Sequence, residues 1–218
     1  RRVWQKPTRA RVHVRSRKKG VMDDHSCDEA SAWTCRQAAH PACSPESSTA
    51  QPQAHTFLPG LAEDYLGRQT LPTTKELAVV FVDIADSTST LLHHPPAHVL
   101  AIVQRFSALV TDIALAHCGD VKDYEGDGAL LYFGSLRQAA RAALATRDAL
   151  VAEPRAGTIS VQARVSLNVG EVTIGVIGSA HRRAVALLGP SVHLAARLLK
   201  EVPPGGIIAP EAAVARLR

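Results

Sequence analysis

The pattern of apolar and polar positions divides the chain near residue 75. Residues 1–74 are rich in Ser, Pro, Ala, Gln, His and charge with no sustained period, and only Phe57-Leu-Pro-Gly-Leu61 and Tyr65-Leu66 offer apolar groups to pack on a domain. Such a segment buries too little apolar surface to offset its ordering entropy, so it is expected to be a disordered leader. Order begins at Leu77. The run Leu77-Ala-Val-Val-Phe-Val82 is continuous, β-branched and aromatic, as in a fully buried strand, and it breaks into polar Asp83-Ile-Ala-Asp-Ser-Thr88. Val99, Ile102, Val103, Phe106, Val110 and Ile113 then recur at helical spacing. They predict a helix from about Pro96 to His117, with Pro95-Pro96 in its first turn and Gly119 at its end.

A polar Glu125-Gly-Asp-Gly128 turn between strand-like stretches predicts a hairpin over roughly 120–133. A second helix is expected from Leu136 to Ala152, with Leu136, Ala140, Ala143, Leu144 and Val151 on one face. Ser160–Asn168 alternates as a strand, Gly170-Glu171 is expected to turn the chain, and Val172–Ile177 to return. Val185–Leu188 is a short apolar run, Gly189-Pro190 opens a helix from Ser191 to about Glu201, and Pro203-Pro-Gly-Gly206 leads into Ile207-Ile208 and a helical stub. The first six elements give an α+β fold: a ferredoxin-like palm, βαββαβ, with an antiparallel sheet and helices on one face.

That topology sets the end of the first strand beside the hairpin turn, and so brings Asp83 and Asp127 together. Two carboxylates on a rigid sheet, followed by backbone N–H groups able to hold phosphate, make a divalent-metal site for phosphoryl chemistry. The structural alternative is a helix N-cap for Asp83 or Asp86 and an ordinary turn residue at Asp127.

Composition narrows the setting. The 218 residues suit one domain of about 140–150 residues plus a leader. The net charge of +5 comes from the N-terminus: residues 1–20 hold nine Arg/Lys and no acid, leaving 16 basic against 20 acidic residues in the remainder. The domain is therefore acidic, and no nucleic-acid partner is expected of it. Cys27, Cys35 and Cys43 recur every eight residues near His25 and His40, without the paired knuckles of a zinc module. With Cys118, expected as a buried thiol at a helix end, they form no disulfide framework, which fits a reducing cytoplasm. No stretch approaches the roughly 18 apolar residues of a membrane span, and no apolar signal segment follows the basic N-terminus. Met22 is the only methionine in a chain that begins at Arg1, so native translation is expected to start at Met22, with residues 1–21 coming from upstream sequence or a longer parent.

The chain from about residue 76 resembles the class III nucleotidyl (adenylate/guanylate) cyclase catalytic domain. The resemblance rests on Val80-Phe-Val-Asp-Ile-Ala-Asp-Ser-Thr88, Glu125-Gly-Asp-Gly-Ala129, Asn168-Val-Gly-Glu-Val172, Ile177-Gly-Ser179 and Leu188-Gly-Pro-Ser-Val-His-Leu-Ala-Ala-Arg-Leu198. It implies conversion of a nucleoside triphosphate to a cyclic nucleotide and pyrophosphate, in a homodimer with composite sites at the subunit interface. Asp83 and Asp127, with the Ile84 carbonyl, would hold two Mg²⁺ or Mn²⁺ ions. The amides of residues 84–88, that of Ser87 among them, and the Thr88 hydroxyl would cradle the β- and γ-phosphates. Arg197 would stabilise transition-state charge from across the dimer.

The chain also departs from that pattern. His193 stands where the family has a ribose-orienting asparagine, and Ala186 where an Asp or Thr selects the base. Asp123 holds the slot of the base-recognising lysine, with Lys122 one residue earlier; Lys122 needs a bulge to substitute, because a one-residue shift turns a strand side chain to the other face. The family continues into a further strand pair with a lysine-bearing arm, which nothing after Arg218 supplies, so residues 76–218 are expected to lack the last strands. The reading is a cytoplasmic cyclase domain making cyclic AMP with eroded base recognition. Two alternatives stay open: a catalytically weak, cyclase-like regulatory module, and a diguanylate-cyclase-like palm enzyme.

Overall fold

The strand β1 (Thr73–Ile84) forms the axis of the domain, because both of its faces are buried. The structure is a computed structural model that describes residues 71–92, 94–153 and 161–218. The leader's cysteines, Met22, Phe57, Leu61 and Tyr65 lie outside those residues. After β1 come α1 (Ser87–Leu92), α2 (Pro96–Ala116), β2 (Gly119–Glu125), β3 (Gly128–Phe133), α3 (Leu136–Ala152) and β4 (Ala163–Gly178). Then follow β5 (Arg183–Leu188), α4 (Pro190–Leu199), β6 (Ile207–Ile208) and α5 (Glu211–Ala215). The sheet runs β2-β3-β1-β4-β5 with antiparallel neighbours, and β6 adds in parallel to β4 at Val165 and Ser166. Its first four strands have the order expected of a βαββαβ palm.

Alternation along β1 sends Ala78, Val80, Val82 and Ile84 to one face, where they meet Ile102, Phe106 and Val110 of α2 and Ala139, Ala142, Ala143 and Leu150 of α3. The two helices of the palm thus share one face, as expected. Leu77 and Val79 point the other way, into a second cluster with Leu130, Tyr132, Val172, Ile174 and, from α4, Val192 and Ala195. Burial on both sides explains why β1 reads as an unbroken apolar run.

Several expectations are corrected. β1 starts at Thr73, inside the stretch assigned to the leader; Thr73 and Thr74 pair with Ile174 and Thr173, and the hydroxyls of Thr74 and Thr173 lie 3.1 Å apart. A polar strand end leaves no apolar signal. Gly170-Glu171 does not turn the chain, because β4 is a single 16-residue strand. Gly170 instead lets α4 approach: a Cβ there would stand 3.1 Å from the Ser191 Cβ. In α3 the buried stripe runs through Leu136, Ala139, Ala143, Thr146 and Leu150, while Val151 is exposed. Small side chains carry this contact, so hydrophobicity alone misplaces the face. Cys118 is half-buried and takes the left-handed position after α2 (φ 55°), one residue before the glycine expected there. Helix α2 has a mean hydropathy of 1.7 over 18 residues, long and apolar enough by those measures to cross a membrane, yet Ile102, Phe106, Val110 and Ala114 pack on the sheet.

Candidate active site

Asp83 is the penultimate residue of β1 and follows Leu77 and Val79 in the alternation, so it lies on the α4 side of the sheet. Its cross-strand neighbours are Gly128 on β3 and Arg164 on β4. Between β2 and β3 the turn is only Gly126-Asp127, with Gly126 at φ 65°. A Cβ at position 128 would stand 2.9 Å from the Val82 carbonyl oxygen and 3.3 Å from Asp83 Oδ1, so a bare α-carbon is what lets the hairpin lie against Asp83. The Ile84 N–H donates to the Asp127 carbonyl at 3.3 Å and fastens the turn to β1. Asp83 and Asp127 are thereby brought together as the topology predicts.

The pair is electrostatically uncomfortable. The Asp83 carboxyl is pushed up to about 6, first by burial, then by the charge and hydrogen bond of Asp127; the Arg164 charge and the Ile84 N–H pull the other way. Asp127 Oδ2 is buried without a hydrogen-bond partner, an arrangement that costs free energy unless something outside the protein completes it. A hard divalent cation fits: two carboxylates offer oxygen donors only, and Mg²⁺ is commonly held by one or two carboxylates plus water and substrate phosphate. Among the described residues no cluster of three or more His, Cys, Asp or Glu could hold a metal, so two carboxylates are the side-chain complement. The Ile84 side chain is spent in the core, leaving its carbonyl as the one group it can offer. Ser87 and Thr88, half-buried and exposed, are the first residues of α1, where helical N–H groups lack intrahelical acceptors.

The other predicted site residues lie on three different elements. On β2 the pairing register shifts between Val121, opposite Leu131, and Asp123, opposite Leu130. Lys122 is therefore the extra residue of a bulge, the condition on which it can stand in for a residue one place later. Its Nζ pairs with Asp123 Oδ2 at 3.0 Å. Ala186 lies on β5 opposite Gly175, at the far side of the sheet order, and is buried. His193 and Arg197 stand four residues apart on α4, both exposed, with Leu194 between them. Their outward direction is fixed from beneath. Ser166 Oγ donates to the Ala195 carbonyl at 2.8 Å, Asn168 Nδ2 to the Ser191 carbonyl at 3.0 Å, and Ser191 Oγ to the Glu171 carbonyl at 3.1 Å.

Two residues beside the carboxylates escaped the sequence reading as site residues. Arg164, opposite Asp83, forms an ion pair with Asp86, and its Nε is buried without an acceptor. Asp86 is exposed and holds a left-handed backbone (φ 54°) between β1 and α1. An arginine inside the strand Ala163-Arg-Val-Ser-Leu167 was the available signal for the first; the second was read only as a candidate helix N-cap.

Comparison with known proteins identifies the family and the fold. Residues 70–218 match the model of the adenylate and guanylate cyclase catalytic domain. An uncharacterized protein of Mycobacterium tuberculosis (strain H37Rv) is 35% identical over 149 residues, which cover 64% of this chain and 27% of the relative. The chain thus spans about a quarter of the length of such curated relatives. Among solved structures, the adenylyl cyclase CyaB from P. aeruginosa aligns with a TM-score of 0.61 at 22% identity, covering 66% of this chain and 80% of its own. The catalytic core of a rhodopsin-guanylyl cyclase with converted specificity, in complex with ATPαS, aligns with a TM-score of 0.63 at 22% identity, covering 68% and 85%. At that identity the two structures establish the shared fold.

Proposed function

Because the chain belongs to the adenylate and guanylate cyclase catalytic-domain family, we propose that it converts ATP, or GTP, to the 3′,5′-cyclic nucleotide and pyrophosphate. The observation that carries the reading is the facing pair Asp83 and Asp127, with an orphaned buried oxygen and a carboxyl that resists ionisation. Asp83, Asp127 and the Ile84 carbonyl would hold two Mg²⁺ or Mn²⁺ ions. When bound, such ions supply activation of the ribose 3′-hydroxyl and neutralisation of the triphosphate and leaving pyrophosphate.

The protein's own residues bind and orient. Arg164, directly opposite Asp83, presents a cation and a free Nε–H to the phosphate end of the substrate. The N–H groups that open α1 and the Thr88 hydroxyl cradle phosphate oxygens. The bulge on β2 offers a donor at Lys122 and an acceptor at Asp123 to the edge of a purine, while buried Ala186 offers no side-chain hydrogen bond. Catalysis of this kind is positioning and charge stabilisation around an in-line displacement.

His193 and Arg197 complete the site from a second copy of the chain. They share the exposed side of α4 with Leu194, and Val176, Ile177 and Leu188 of the β4–β5 arm are exposed as well. Residues 175–178 of that arm extend past the start of β1 and, among the described residues, pair only with β5. An apolar two-stranded projection beside outward-facing functional groups suits a symmetric dimer.

The test is incubation of the chain with ATP or GTP and Mn²⁺ or Mg²⁺, with the cyclic product and pyrophosphate measured together. Asp83→Asn and Arg197→Ala should each be inactive alone. Mixed, they should regain about a quarter of the wild-type rate, since half the dimers then hold one intact site of two. Turnover by Asp83→Asn alone would overturn the reading.

A further inference from the structure

The Asp86–Arg164 ion pair joins the residue before α1 to the β4 residue opposite Asp83. Arg164 is the cross-strand partner of Asp83, and among the described residues its guanidinium pairs with Asp86 alone. Its Nε is buried without an acceptor, so the guanidinium is only partly satisfied. Asp86 is largely exposed, and its backbone sits at φ 54°, a conformation disfavoured for a residue with a side chain though tolerated by Asp. The next residues, Ser87 and Thr88, open α1. A carboxylate in a left-handed turn thus occupies an arginine fork that has a further buried donor to offer.

We propose that Asp86 is a built-in competitor of the substrate: its carboxylate occupies the anion site of Arg164, and a nucleoside triphosphate must displace it to bind. The inference rests on the nucleotide-binding reading above and deepens it. A triphosphate presents several charged oxygens and satisfies the fork together with Nε, whereas one exposed carboxylate leaves Nε unfilled. An exposed ion pair is weakly held, so the exchange is reversible and its cost falls on substrate affinity. Released, Asp86 turns to water without strain on the sheet, because the β1–β4 pairing and the Ala85 N–H to Gln162 carbonyl bond (2.7 Å) hold that corner independently. The device sets the substrate concentration at which the site fills.

The experiment is equilibrium binding of 3′-deoxy-ATP with Mg²⁺ to the full chain; lacking the 3′-hydroxyl, this probe cannot be cyclised. Asp86→Asn keeps a residue that accepts the left-handed turn and removes the charge, and it should bind the probe about two- to fivefold more tightly than wild type, the range expected when an exposed ion pair is removed. Arg164→Gln should bind more weakly. In the Arg164→Gln background, Asp86→Asn should bring no further tightening. An equal gain in both backgrounds would show simple charge repulsion and overturn the competition. Weaker binding by Asp86→Asn would show instead that the pair positions the turn, and would also overturn it. Should Arg164→Gln lose its fold by circular dichroism, Arg164→Lys, which keeps the charge and loses the fork, takes its place. Tight binding by wild type that Asp86→Asn leaves unchanged sinks the competition alone, whereas no binding by any variant sinks the nucleotide reading and the competition with it.

Discussion

Replacing Asp83 with asparagine should stabilise the metal-free protein at neutral pH while removing its response to metal. In the folded chain the Asp83 carboxyl is pushed up to about 6 from an ordinary 3.8 by burial and by Asp127. A group whose folded pKa is raised contributes stability that is complete below its ordinary value and lost as pH rises through the folded one. Two units at 1.36 kcal/mol each set a ceiling of about 3 kcal/mol. Asp83 is only half-buried, so solvent screening brings the expected loss to ~1–1.5 kcal/mol. Asparagine has no charge to lose. In EDTA at about pH 7.5, Asp83→Asn should therefore unfold at a Tm higher than wild type by roughly 2–6 °C, and the difference should close as pH falls toward about 4. Added Mg²⁺ or Mn²⁺ should raise the wild-type Tm by mass action and leave the variant unmoved. Urea midpoints across that pH range, with and without metal, give the measurement. A variant less stable than wild type in EDTA at neutral pH would show that the Asp83 carboxylate is a structural acceptor, and the metal-site argument would lose its footing.

Gly128→Ala should cost about 1–3 kcal/mol by urea unfolding and weaken metal stabilisation, because its Cβ would press on the Val82 carbonyl at 2.9 Å and on Asp83 Oδ1 at 3.3 Å. Asn168→Ala removes the donor to the Ser191 carbonyl at the base of α4 and should cost about 1–2 kcal/mol; cyclisation should fall further than stability, since His193 and Arg197 are aimed by that helix, and an unchanged rate would separate the anchor from the site. With Ala186 buried and unable to hydrogen-bond, ATP and GTP should compete within about tenfold, and Lys122→Ala should reduce what preference remains; a thousandfold preference in wild type would mean that other residues read the base.

What the sequence disclosed, and what it withheld, follow one physical division. Elements that bury a continuous or periodic apolar face were legible: β1, α2, the 119–133 hairpin and the first half of β4 each announce themselves by side chains that must leave water, and their order alone places Asp83 beside Asp127. Elements held by small or polar groups were not. The buried stripe of α3 is largely alanine and threonine, and the first residues of β1 are threonines whose ladder partners lie about 100 positions away. Gly170 shows the ambiguity in one residue, since the same absent side chain serves a turn or a close helix approach, and only the tertiary fold decides between them.

The same division runs through the site. Asp83 and Asp127 could be found because one closes a readable strand and the other sits in the turn of a readable hairpin. Arg164 and Asp86 could not, because their meeting depends on β4 lying antiparallel to β1 in one register; a one-residue slip would carry Arg164 to the helix-covered face, away from Asp83. Lys122 teaches the complementary lesson. In a regular strand it would face away from the Asp123 side, and its usefulness was conditional on a bulge that no residue type at that position demands. The observed shift opposite Leu130 and Leu131 supplies that condition, and the resulting Lys122–Asp123 pair sets a donor and an acceptor side by side on β2. On the proposed reading, with Ala186 unable to contribute, purine discrimination is expected from β2 rather than from two strands. Lys122→Ala combined with Asp123→Ala should accordingly equalise ATP and GTP turnover with little change in metal-dependent Tm. A preference that survives both substitutions would move base recognition off β2 altogether.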